Sequence, residues 1–122
     1  MTEFTLKQQK ANRKLWVEAL RSGKYKRTTQ KLRSLNDGFC CLGVLADLAG
    51  CEWKKEEDFY SADGAFGSAP AKAREFVGLT AYLGCYTYGD LSDLNDSGKT
   101  FAEIADIIES EPFGLFVESI QP

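Results

Sequence analysis

At 122 residues, with 43% hydrophobic and 12% aromatic positions, the chain fits a single domain with its own core and lies away from the disordered class. Its longest apolar run falls short of the roughly 20 residues a bilayer span needs, and no basic flank leads into an apolar segment at Met1-Thr2-Glu3-Phe4, so a soluble intracellular protein is expected. The net charge of −3 conceals a division: residues 1–35 hold ten Lys or Arg against two Glu, and the remainder holds five against sixteen acids.

Histidine is absent, which removes Cys-His and Ser-His-Asp nucleophile systems, imidazole metal ligands and the ordinary pH switch. Cys40, Cys41, Cys51 and Cys85 show no Cys-x-x-Cys spacing and two are adjacent, so buried free thiols are expected rather than a disulfide framework or a metal site. No catalytic residue, metal or cofactor is assigned.

In chain order, residues 5–22 read as a basic N-terminal helix, with Leu15, Trp16, Ala19 and Leu20 on one face, Lys7, Lys10, Lys14 and Arg21 opposite, and Ser22-Gly23 as the stop. Tyr25 to Leu35 reads as an extended segment, and Asn36-Asp37-Gly38 as a turn. Phe39 to Ala49 is apolar except for Asp47 and predicts a buried central helix closed by Gly50, in which Gly43 permits close approach of a neighbour. Residues 51–69 form a variable loop with a two-stranded ribbon. Pro70 and Gly78 bracket a short helix over 70–77, and the alternation of Tyr82, Tyr86 and Tyr88 predicts a strand over 81–88. Asp90, Asp93 and Asp96 read as helix-capping acids in a turn rather than a cation site. Thr100 and Glu103 form a capping box for a helix over 100–109, Pro112 ends it, and residues 114–120 add a last edge strand. The expected fold is α+β, one compact domain over 1–122 with three to four helices packed on a small antiparallel sheet.

Ser97-Gly98-Lys99-Thr100 resembles the end of a phosphate loop, but Asp93 stands where the motif needs its first glycine, so a helix cap is favoured and only anion binding without hydrolysis survives. Lys26, Arg27 and Lys31 continue the basic face of the first helix. That face reads either as a solvated surface paired with the acidic body, or as a site for a compact anionic ligand or an acidic protein patch. No nucleic-acid-binding motif accompanies it, and tight binding of double-stranded DNA is not expected. A ligand-binding set follows: Tyr25, Lys26, Arg27, Lys31, Tyr86, Asn95, Ser97, Gly98, Lys99 and Thr100. Trp53 and Phe66, in the variable loop, are the candidate partner contacts.

Trp16-Val17-Glu18-Ala19-Leu20-Arg21-Ser22-Gly23-Lys24-Tyr25, Phe39-Cys40-Cys41-Leu42-Gly43-Val44-Leu45 and Leu94-Asn95-Asp96-Ser97-Gly98-Lys99-Thr100-Phe101 with Ala102-Glu103-Ile104-Ala105-Asp106 give the chain a pattern that resembles a loose group of small proteins encoded by tailed phages and prophages. The resemblance covers most of the length but not residues 52–69, and it implies a phage context in a host cytoplasm without bringing a biochemical activity. Together these readings predict a phage accessory binding protein that counters host antiviral defence by stoichiometric sequestration of a nucleotide-like anionic signal. The alternative is direct blockade of a host defence protein, in the manner of CRISPR inhibitors. A small enzyme or a virion component ranks below both, and a homo-oligomer is compatible with either.

Overall fold

Thr5 opens the first helix by a capping box: its hydroxyl accepts from Gln8 N, and the Gln8 side chain accepts from Thr5 N, so two end donors of the helix are satisfied. The computed structural model describes residues 4–120. The helix, α1, runs Leu6–Arg21 and buries Trp16, Val17 and Leu20. Leu15, expected on that face, is 49% exposed, because the buried arc is centred on Gln9, Arg13, Trp16 and Leu20 and turns Leu15 outward.

The segment after α1 forms three two-residue strands, β1 (Lys26–Arg27), β2 (Arg33–Ser34) and β3 (Gly38–Phe39), and the residue 51–69 region supplies β4 (Trp53–Lys55) and β5 (Phe59–Ala62). They make one sheet in the order β1-β3-β2-β5-β4. The sheet is mixed rather than antiparallel: β1 pairs with β3 in parallel, with Lys26 opposite Gly38, and the other pairings are antiparallel. Residues 28–37 lie between these partners and include β2, which runs antiparallel on the other side of β3.

Helix α2 (Cys41–Leu48) is the centre of the core, with Cys41, Leu42, Val44, Leu45 and Ala46 fully buried. Trp16, also fully buried, donates its indole N–H to Cys41 O at 3.0 Å and ties α1 to the start of α2. Helix α1 packs against α2, against α3 (Ala71–Val77) and most extensively against α5 (Phe101–Glu109). Replacing Leu45 by Ala is expected to cost about 2–5 kcal/mol, the range for deleting a buried leucine side chain, measured by urea denaturation; a cost near zero would move Leu45 out of the core.

Pro70 caps α3 from outside rather than occupying its first turn, and Gly78 ends it at φ +76°, the left-handed conformation that favours glycine. Residues 81–88 do not form a continuous strand. Turns interrupt them, leaving a hairpin of β6 (Cys85–Tyr86) and β7 (Gly89–Asp90). Asp90 caps α4 (Leu91–Asp96) by accepting from Asp93 N at 2.7 Å, so the acidic stretch expected as a turn is a helix. Thr100 and Glu103 form the predicted capping box of α5. The expected edge strand over 114–120 is replaced by an isolated bridge, Leu79 to Phe116, and a 3-10 turn over Val117–Ile120. The result is α+β, with five α-helices among the described residues where three to four helices were expected.

Candidate functional site

Basic residues of the first third divide by type. Arg13, Arg21 and Arg33 pair with carboxylates, respectively Glu111 and Glu118, Asp106 and Glu109, and Asp37, while Arg27 donates to Asn95 O at 2.6 Å. Lys7, Lys10, Lys14, Lys24, Lys26 and Lys31 are exposed or half-exposed, and among the described residues they make no ion pair within 4 Å. The planar guanidinium fork suits several fixed acceptors at once, whereas the strongly hydrated ammonium stays in water. The acidic body therefore absorbs the arginines and leaves the lysines as the outward charge.

Two parts of the candidate ligand set do meet. The Arg27–Asn95 bond is joined by Asn95 Nδ2 donating to Thr28 O at 2.9 Å and by Gln30 N donating to Asp96 Oδ1 at 2.8 Å. Lys26, Arg27 and Lys31 thereby lie on a loop docked to the end of α4, beside Ser97, Gly98, Lys99 and Thr100. All of these are exposed to solvent except Lys31, which is half-exposed. Asn95 itself has no exposed surface; its Oδ1 accepts from Cys41 N and its Nδ2 donates to Thr28 O, so its side chain is a structural cross-link.

The amides of residues 97–100 are already engaged within the chain. Ser97 N, Gly98 N and Lys99 N donate to Asp93 O, Asn95 O and Leu94 O. Thr100 N donates to Glu103 Oε1 at 3.0 Å, a bond that, with the Thr100 hydroxyl, holds the Glu103 carboxyl below the usual carboxylate range. The residue 97–100 segment therefore keeps no backbone donor for a phosphate.

Tyr25 and Trp53 belong to a different cluster. Asp47 accepts from Tyr25 Oη at 2.6 Å and from Trp53 Nε1 at 3.0 Å, and the Phe39 ring stands edge-on between the two aromatics, 5.0 Å from Tyr25 and 5.9 Å from Trp53. Burial, and then the Asp47 bond, push the Tyr25 hydroxyl well above its ordinary pKa, so it keeps its proton and remains a donor. The Arg33 guanidinium lies 4.1 Å from the Tyr60 ring centroid and 5.3 Å from Phe39 and Trp53. This cluster is closed on itself and covers one face of the sheet. Phe66 is 57% exposed, with its ring 5.2 Å from Phe59.

Tyr86 is half-buried in the β6–β7 hairpin, away from the basic loop's contacts with α4. Beside it lies a feature the sequence reading passed over. Thr87 N and Thr87 Oγ1 both donate to Phe113 O, at 3.0 and 2.9 Å, which brings the 113 loop against the hairpin and leaves Tyr88 88% and Phe113 67% exposed. Tyr82 is 56% exposed in the same stretch. Two large rings thus stand exposed on segments joined by defined hydrogen bonds. The usable sequence signal was Pro112-Phe113 after a helix end, a large ring where the chain must turn.

Two depressions lie along α1. One depression of about 680 Å³ is lined by Leu6, Lys7, Lys10, Ala11, Lys14, Leu15 and Glu18, and a groove of about 420 Å³ between α1 and α5 has Val17 and Ile108 at its base with Lys10, Lys14, Glu109 and Glu111 around it. Neither includes Lys26, Arg27, Lys31 or residues 95–100. Among the described residues no group of three or more Cys, Asp or Glu is placed to hold a metal ion, and no helix is long and apolar enough to cross a membrane.

All four cysteines are free, and the expectation of burial holds for Cys40, Cys41 and Cys51 but not for Cys85, which the hairpin exposes. Burial raises the Cys40 thiol to about 11 and Cys41 well above its ordinary value. Cys51 rises to about 12 through burial and the nearby Asp63. Because the thiolate is the reactive form, a colorimetric disulfide reagent at neutral pH is expected to titrate one thiol quickly in the native protein, lost in Cys85→Ser, and the other three only on denaturation. Fast reaction of a second thiol would contradict the burial of Cys40, Cys41 or Cys51.

Comparison with curated proteins and with solved structures found no match. Residues 7–112 match a family model, a span that takes in α1 through α5 and most of the surfaces described above. The chain belongs to the family described as a domain of unknown function (DUF8296).

Proposed function

We propose that this protein works by stoichiometric, direct binding to another protein, as a phage accessory factor that blocks a component of a host antiviral defence. The observation that carries this reading is the pair of exposed rings, Tyr88 and Phe113, held by the Thr87–Phe113 bonds. Aromatic side chains present large contact area at small entropic cost and dominate the energetics of protein interfaces. Sequestration of a nucleotide-like signal is the weaker reading, because the amides of residues 97–100 are used within the chain and Lys26, Arg27 and Lys31 stand on open surface.

The test is titration of the protein into a reconstituted host defence reaction. Inhibition is expected to saturate near a fixed molar ratio, with the blocked protein co-eluting in size-exclusion chromatography. Inhibition at far below stoichiometric amounts, or recovery of a cleaved or modified small molecule, would indicate an enzyme. Release of an intact small ligand on heating, with no co-eluting protein, would restore sequestration.

A further inference from the structure

We propose that the outward face of α1, where Lys7, Lys10 and Lys14 form a stripe between exposed leucines, is a docking surface for an acidic amphipathic helix of a partner protein. The inference goes beyond the direct-binding reading and does not depend on Tyr88 or Phe113.

Helical spacing assembles the face. At about 3.6 residues per turn, Lys7, Lys10 and Lys14 fall on one stripe of the helix, with Leu6 along one edge and Ala11 and Leu15 along the other. All six are exposed and line the depression of about 680 Å³, and Leu6 and Leu15 keep 46% and 49% of their surface open. The three ammonium groups make no ion pair among the described residues. Acids across the neighbouring groove do not serve them, because Glu109 and Glu111 are held by Arg21 and Arg13. Glu18, toward the far end of the stripe, is the one acid lining the depression.

A positive stripe calls for an anion, and its surroundings decide which kind. A small anion gains little, because lysines on a helix surface start about 5–6 Å apart and their strongly hydrated ends spread into water. The amides of the first turn cannot join them, since Gln8 N and Gln9 N already donate to Thr5. A nucleic-acid strand would lay phosphates and sugars over Leu6 and Leu15 and find no aromatic ring on the face to stack on. It would also meet the chain beyond residue 35, with five basic residues against sixteen acids. A helix with acidic and apolar stripes side by side satisfies both parts of the face. Its carboxylates reach the ammonium groups, its apolar side chains cover Leu6, Ala11 and Leu15, and the two helices share one residue repeat. The aliphatic stems of the lysines add apolar contact beneath their charged ends.

The test uses a fluorescein-labelled peptide of Glu and Leu ordered as an amphipathic helix and a scrambled peptide of the same composition, with binding read by fluorescence anisotropy at about 0.15 M salt. The intact protein is expected to prefer the ordered peptide. The triple variant Lys7→Gln/Lys10→Gln/Lys14→Gln is expected to bind it about ten-fold more weakly, as three exposed pairs of modest strength are lost. Leu6→Gln/Leu15→Gln is expected to lose about five-fold and to bind the scrambled peptide almost unchanged. Glutamine is a good helix former and every position is exposed, so both variants should fold, which circular dichroism checks. Equal affinity for the two peptides, an undiminished affinity in either variant, or no binding would overturn the assignment. So would tighter binding of a DNA duplex or of phosphatidylserine vesicles than of the ordered peptide, or a dimer in sedimentation that the triple variant abolishes. The face would then belong to nucleic acid, to a lipid surface or to a second copy of the chain. If the ordered peptide fails while a host protein still co-elutes at fixed ratio, the α1 assignment falls and direct binding stands. If the preference depends on the lysines and leucines and no host target co-elutes, the docking surface stands and the anti-defence reading falls.

Discussion

Gly43→Ala is expected to destabilise the protein by about 3 kcal/mol or more, although glycine to alanine inside a helix ordinarily gains about 1 kcal/mol. The sign reverses because of what lies over the helix. A Cβ at position 43 would stand 1.9 Å from Leu32 O and 2.7 Å from Leu32 C, well inside van der Waals contact. Leu32 cannot step aside cheaply: its carbonyl accepts from Cys40 N at 3.2 Å, its amide donates to Phe66 O at 2.6 Å, and its side chain is fully buried. The clash therefore moves either the start of α2 or the loop that carries β2. Overpacking of this kind costs 1–3 kcal/mol when side chains can adjust, and more when backbone must move. Urea denaturation with far-ultraviolet circular dichroism measures it, and a stability equal to or above that of the parent protein would show that the two backbones are not in contact.

The second large effect is expected at Arg13. This residue is 4% exposed, donates from Nε to Val77 O at 2.7 Å and from Nη1 to Glu111 at 3.1 Å, and grips Glu118 through both terminal nitrogens, with Nη2 to Oε1 at 2.7 Å. It ties α1 to the end of α3 and to the segment after α5. Arg13→Met keeps the length and apolar volume but strands the Val77 carbonyl and the Glu118 carboxylate. Removing one partner of a buried pair costs about 3–5 kcal/mol, and since Glu111 and Glu118 remain partly solvated the lower end is expected. The pH dependence gives an independent signature. The hydrogen bond from Arg13 holds the Glu118 carboxyl below its ordinary 4.5, so the folded state favours the carboxylate more than the unfolded state does. That contribution is fully present above the ordinary value and is lost as pH falls through the depressed one. The stability gap between the parent and Arg13→Met is therefore expected to narrow between neutral pH and about pH 3. A gap that stays constant or widens on acidification would remove Glu118 from the account.

Elements with their own local signals were legible in the chain. The apolar face of residues 5–22 ends at Ser22-Gly23, Pro70 and Gly78 bracket a short segment, Thr100 stands three residues before Glu103, and the run from Phe39 has no polar break before Asp47; α1, α3, α5 and α2 follow from these. Gly43 was also legible as a point of close approach, though not the identity of its neighbour. The sheet was harder, because strands of two residues have too little periodicity to read and their order depends on where distant segments dock. The tyrosine alternation at 82, 86 and 88 suggested a strand because a two-residue repeat in a turn and one in a strand look alike; Gly84 and Gly89, both at positive φ, break the backbone there. Among the candidate site residues, the meeting of Lys26–Lys31 with Ser97–Thr100 depends on bonds across 66 to 68 residues, which a single sequence does not display. Asn95 looked like a ligand contact because polar residues usually face water, and its burial follows only from the two backbone groups it must satisfy.

That buried Asn95 also bears on how the molecule assembles. Its amide bridges partners 54 and 67 residues away, so each bond needs a long loop closed before it can form, and loop closure is entropically costly. If the bridge closes only after the transition state, Asn95→Ala raises the unfolding rate and leaves the folding rate unchanged, which stopped-flow kinetics in urea would read. An interaction of that kind acts as a brake on unfolding rather than an aid to folding: it sets how long the native state persists once formed, and so how long the surfaces on either side of it stay available to a partner.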